Sequence, residues 1–208
     1  MLQITKYCRA ENGQTFRNGT PCLPTTASSL EEMVSELVAQ YNIVHPRFGK
    51  MDRLSQLGFA AADLMLQESN LAQKHEPHKL GVVLSNSAAS LDTDKKYWET
   101  TGNIPSPALF VYTLPNIVVA EICIKNSFKG ENFFFVSEKM DAHLLFCHIS
   151  EMLNNNRADA CLGGWIEVLD NSYNAFLFLV EKNPEKNRVE FTEENITKIY
   201  NTTPLWNN

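Results

Sequence analysis

The run Leu80-Gly81-Val82-Val83-Leu84 constrains this chain more than any other stretch. Five successive apolar residues between Lys79 and Ser85 leave no polar face, so a strand built from them must be covered on both sides. Such a strand belongs inside a parallel sheet flanked by helices, and the surrounding sequence supplies them. Residues 29–40 place Leu30, Met33, Leu37 and Val38 on one helical face, with Ser28 or Ser29 as N-cap and Glu31 and Glu32 in the first turn. Residues 51–68 repeat the pattern with Leu54, Leu57, Ala61, Leu64 and Met65. Further helices are predicted over 91–101, 116–127, 140–154 and near 192–200, with short helical pieces between Pro105 and Pro115. Strands are predicted over 1–8, 132–137, 158–168 and 173–181, the last two joined by a turn at Asp170-Asn171-Ser172. Gly13, Asn18-Gly19 and Pro21 to Pro24 mark an irregular stretch of turns. Alternating strands and helices predict a layered α-β-α fold with a mixed central sheet, as one domain over residues 1–208.

Composition narrows the function classes. The 208 residues carry a net charge of -6 spread over short mixed runs, so no basic stripe offers itself to nucleic acid. Glu121 interrupts the apolar run from Ile117 to Ile124, and no stretch reaches the roughly 20 residues of a membrane helix. The alternation of Met1 to Lys6 lacks the apolar core of a secretion signal, which predicts a cytoplasmic protein. Cys8, Cys22, Cys123, Cys147 and Cys161 are an odd number at unrelated spacings and read as reduced thiols. His75 and His78 flank Pro77 without a cysteine or carboxylate cluster, so they read as loop histidines, and neither a metal nor a cofactor is expected.

Four segments in order carry a family resemblance: Met51-Asp52-Arg53-Leu54-Ser55-Gln56-Leu57 with its trailing alanines; Leu80 to Leu84; Ser106-Pro107-Ala108-Leu109-Phe110 continuing through Leu114-Pro115-Asn116 to Lys129-Gly130; and Asn156-Arg157-Ala158-Asp159-Ala160-Cys161-Leu162-Gly163-Gly164. Over about residues 50–168 the chain resembles the N-terminal half of the β-ketoacyl synthases, condensing enzymes with the thiolase fold. The resemblance implies that the turn after strand 132–137 is where the family carries its nucleophilic cysteine. Here the register places Lys139 there, within Val136-Ser137-Glu138-Lys139-Met140. A lysine amide would be a dead end for a group that must be received and released as a thioester. Ser137 would need a histidine base, and the family's two assisting histidines lie in the second half of the fold, before which this chain ends. His143 and His148 point to different helical faces, and Ser137 reads as a helix cap. No catalytic residue is expected.

The resemblance also implies a dimer. Its paired strand corresponds to Asn132 to Ser137, where Phe133, Phe134, Phe135 and Val136 would meet a partner. Leu109, Phe110 and Thr113 correspond to positions that reach across the dimer axis and line the partner's acyl tunnel. They would set how long a chain fits, each buried methylene being worth about 0.8 kcal/mol. The expectation is a non-catalytic, half-length subunit like the chain length factors, pairing with a full-length ketosynthase in fatty acid, polyene or polyketide synthesis, with an acyl carrier protein as an indirect partner. Two alternatives stand beside it: an acyl-transfer enzyme using Ser137 or Lys139, and a homodimeric module that binds an acyl chain or carrier protein. The tail 184–208, through Val189, Phe191, Ile196, Ile199, Tyr200, Leu205 and Trp206, is expected to cover an otherwise exposed apolar face.

Overall fold

The computed structural model describes residues 1–23, 27–182, 184 and 189–202. In chain order its elements are β1 (Leu2–Glu11), β2 (Gln14–Arg17), β3 (Thr20–Leu23), α1 (Leu30–Gln40), α2 (Arg53–Leu66), α3 (Leu71–Lys74), β4 (Leu80–Asn86), α4 (Leu91–Thr100), α5 (Pro107–Val111), α6 (Ile117–Asn126), β5 (Asn132–Val136), α7 (Ala142–Asn154), β6 (Ala160–Leu169), β7 (Ser172–Lys182), β8 (Val189–Glu190) and α8 (Glu193–Asn201). All eight strands form one sheet in the order β3-β2-β1-β7-β6-β4-β5, with β8 paired to β1. The contacts of β4 with β5 and with β6 are parallel, and the others are antiparallel. The central apolar run behaves as its composition requires, since every residue of β4 is buried.

Residues 13–24 depart from the expected irregular stretch. Asn12-Gly13 and Asn18-Gly19 both have positive φ (49° and 73°, 53° and 79°), the conformation of two-residue hairpin turns whose twist suits antiparallel strands. They fold β1, β2 and β3 into a meander rather than a loop, while Pro24 lies outside the described residues.

Side chains alternate across the strands and build two cores. On one face α1, α2 and α6 pack over Val82, Leu84, Leu162, Ile166 and Leu177. Nearly all of α2 is buried, and its Gly58 lets the helix approach so closely that a Cβ there would meet Val118 and Ile166 side chains at 2.5 and 2.7 Å. On the other face Leu145, Ile149, Met152 and Leu153 of α7 pack over Val83, Cys161, Phe176 and Phe178. Phe191 and Ile196 are buried there too, with Ile199 and Tyr200 packed beside them, so the tail covers part of this face. Val189 is 37% exposed, and Leu205 and Trp206 lie outside the described residues.

Candidate functional site

Because β4, β5 and β6 run parallel, their C-terminal ends lie side by side, the place where open α/β sheets gather functional groups. At the end of β4 the buried Asn86 closes the following loop with its own side chain. Its Nδ2 donates to the Ala89 carbonyl (2.8 Å) and its Oδ1 accepts the Ala89 N–H (2.9 Å), while Ala89 takes a left-handed φ of 50°. The Glu167 carboxylate on β6 accepts N–H bonds from Ser87 (2.6 Å) and Ala88 (3.3 Å). These backbone donors are therefore satisfied within the chain. The Asn86 carbonyl accepts the Ser137 N–H at 2.9 Å and so fixes the exit of β5.

The turn from β5 to α7 spans residues 137–141. The Ser137 hydroxyl donates to the Lys139 carbonyl (3.0 Å), and Lys139 is exposed. Ser137 does not cap the helix as its position suggested. Asp141 does, accepting the Leu144 N–H at 3.0 Å, because α7 begins two residues later than its periodicity implied. The α7 histidines are engaged elsewhere. His148 lies against the rings of Phe135 (centroids 4.5 Å) and Phe133 (6.0 Å), and His143 Nδ1 is 2.9 Å from Glu193 Oε1.

Segment 106–113 reaches the same region. Ser106 caps α5 through the Leu109 N–H (3.3 Å), Pro107 occupies the first turn, and the Ser90 hydroxyl donates to the Thr113 carbonyl at 2.7 Å. Leu109 and Thr113 are half-buried, and Phe110 is 59% exposed, resting against Tyr97 with centroids 5.5 Å apart. Beside α5 lies a buried polar group whose partners no local pattern announces. Glu121, which interrupts the apolar run of α6, is 4% exposed and accepts the Tyr112 hydroxyl (3.4 Å), with His45 Nε2 at 3.4 Å and Arg47 at 3.7 Å. Burial, reinforced by the Glu121 charge, raises the Tyr112 phenol above its ordinary value.

Among the described residues β5, which leads into the turn before α7, is the last strand of the sheet. Phe134 packs toward the core of α2 and α6, Phe133 and Phe135 toward α7, and Val136 is 59% exposed. Its rings thus stand on both faces of a strand at the edge of the sheet. Gly163 and Gly164 face β4 one strand over, where a Cβ on Gly164 would stand 2.1 Å from the Phe176 carbonyl oxygen. His75 and His78 go to separate carboxylates, Glu181 (3.6 Å) and Glu76 (3.0 Å).

This arrangement of parallel strand ends, paired glycines and strand-turn-helix lies within the stretch, residues 20–178, that matches the family model for the β-ketoacyl synthase N-terminal domain. The chain belongs to that family. As a ketoacyl synthase N-terminal domain it also superposes on solved structures. The ishigamide ketosynthase/chain length factor matches with a TM-score of 0.65 at 17% identity, covering 90% of this chain and 63% of that one. A ketosynthase in complex with its chain length factor from Xenorhabdus doucetiae matches at 0.56 and 13% identity, covering 88% and 80%. A β-ketoacyl synthase from Burkholderia phymatum STM815 matches at 0.57 and 11%, covering 87% and 59%. At these identities the likeness is one of fold. No curated protein sequence matches. Among the described residues no helix is long and apolar enough to cross a membrane.

Proposed function

We propose that this ketoacyl synthase domain is a non-catalytic subunit of the chain length factor kind, which pairs with an active ketosynthase through β5 and shapes its acyl tunnel with Leu109, Phe110 and Thr113. The observation that carries the reading is the turn between β5 and α7. It presents an exposed Lys139 and a Ser137 whose hydroxyl is spent on a local carbonyl, and neither is a reversible acyl carrier there. Structures described as a ketosynthase with its chain length factor are among those it resembles in fold. The edge position of β5 supports pairing. The strand is five residues long, has no charge and no proline, and carries rings on both faces, so it lacks the usual protections of a free edge.

Co-expression with full-length ketosynthases, followed by native mass determination, tests the reading. A one-to-one heterodimer that fails to form with Val136→Lys supports it, and Leu109→Trp in that heterodimer is then expected to shorten the acyl product. Self-association alone with every synthase tried would overturn the heterodimer and leave the homodimeric binding module, and monomers alone would overturn both. Labelling of Ser137 or Lys139 by an acyl thioester would overturn the non-catalytic role.

A further inference from the structure

On the solvent side of the α7/α8 layer, in the first two turns of α7, a thiol and an imidazole lie together beside a carboxylate of α8. Cys147 Sγ lies 3.5 Å from His143 Nε2 and 3.8 Å from its Nδ1, one helical turn away, so the sulfur stands beside the ring and off the line of either nitrogen's lone pair, while His143 Nδ1 lies 2.9 Å from Glu193 Oε1 in the first turn of α8. All three are exposed, the His143 and Glu193 side chains to 70% and 46%. The acid is 50 positions from the histidine in sequence, so only the packing of α8 on α7 assembles the set. The other four cysteines differ from Cys147. Cys8 and Cys161 are fully enclosed and their thiols are pushed far up by burial, Cys123 is raised to about 11 for the same reason, and Cys22 is raised too.

From this geometry we propose that Cys147 is a reactive thiol that undergoes exchange with small-molecule disulfides, with His143 as its acid-base partner and Glu193 as the group that orients and polarises the imidazole. A rotation of the exposed Cys147 side chain brings Sγ into line with His143 Nε2, and Sγ then attacks one sulfur of the disulfide R–S–S–R′ while its proton passes to that nitrogen. The S–S bond of the reagent breaks as the Cys147–S–S–R bond forms, and the departing R′S⁻ takes the proton back from the imidazolium. One disulfide is consumed and one is formed, so the disulfide is itself the oxidant and nothing else is required. Acyl transfer from a thioester is the poorer match. It needs donors aimed at a developing oxyanion, whereas disulfide exchange needs only an accessible sulfur and a proton carrier.

The charged groups around the imidazole are consistent with that part. Glu193 and Glu194 face it from α8, Asp141 from the helix start, and Lys198 lies across the shallow groove that His143 lines with Ala142 and Thr197. The Glu193 hydrogen bond, with its charge, raises the imidazole above its usual value, so it holds a proton it receives more firmly than a free histidine does.

The test is reaction of the full chain with a small neutral dithiodipyridine, followed by mass mapping of each cysteine from pH 6 to 10. At pH 7 Cys147 is expected to react first. Its rate should fall about three- to tenfold in His143→Gln and by a smaller factor in Glu193→Gln, and all three proteins should converge above about pH 9.5, where thiols ionise unaided. Unchanged rates at pH 7 in His143→Gln would overturn the proposal and reduce Cys147 to a merely accessible thiol. A rate lower by the same factor at every pH would also overturn it, because the loss would then come from altered access. Both substitutions are at exposed sites, and circular dichroism of the variants checks that α7 and α8 remain folded.

Discussion

At the scale of single residues, the positions most sensitive to change are those where backbone approaches backbone. Gly164→Ala would drive a methyl into the Phe176 carbonyl, a contact that no rotamer relieves, and is expected to destabilise the fold by at least about 3 kcal/mol or abolish soluble expression, as read by urea unfolding. The turn before α7 gives a sharper comparison. Asp141→Ala removes the cap and should cost about 1 kcal/mol, or about 2–4 °C of Tm for a chain of this size, whereas Ser137→Ala should stay within about 0.5 kcal/mol. The reverse ranking would show that the cap lies where periodicity alone put it. The Gly163-Gly164 pair was readable from sequence because it stands in a contiguous motif. The Glu121 group was not, since His45 comes from a loop 76 positions earlier, and nothing in a local pattern announces that a charged residue within an apolar helix has found buried partners.

At the scale of elements, α8 is the part whose role periodicity announced least and packing explains best. It is a nine-residue helix, too short to persist alone, so its stability comes from docking Ile196 beneath α7. Ile196→Ala is therefore expected to cost about 2–4 kcal/mol and to raise hydrogen exchange across α8 before the rest of the sheet opens. Glu193 adds a pH dependence of known sign. His143 holds its proton more tightly when α8 is docked than when it is not, so the contribution is complete below about pH 6.5 and fades as pH rises through the raised value. Titration of His143 followed by NMR should move down toward the ordinary histidine value in Glu193→Gln, and no movement would show that the contact is not kept in solution. The strand β4 and helices α1, α2 and α7 were legible because apolar runs and helical spacing are local signals. The β2–β3 hairpins hid behind their turn residues, since each strand has only four residues and Pro21 and the glycines read as breakers, although two Asn-Gly pairs four residues apart already carry the hairpin signature.

At the scale of the whole molecule, the sheet is protected at one end and open at the other. The β3 end is a short strand bearing Pro21, a residue that cannot extend a ladder, while β5 ends the sheet with Phe133, Phe134 and Phe135 and an exposed Val136. Trp98, Ile104, Phe110, Val111 and Leu114 are each more than 45% exposed, a concentration of apolar surface on α4, α5 and the segments that follow them that a solvated monomer rarely keeps. A charge on the edge separates pairing from folding. Phe134→Asp would damage both, because its ring also packs against the core of α2 and α6, but Val136→Lys places an ammonium on a side chain that is already mostly in water. The isolated chain is expected to self-associate at tens of micromolar by sedimentation velocity. Val136→Lys should be monomeric at the same concentration with its Tm changed by less than about 2 °C. If the variant sediments like the parent, association runs through the α4–α5 surface instead of β5, and Trp98→Ser and Ile104→Ser then become the substitutions that should dissociate it.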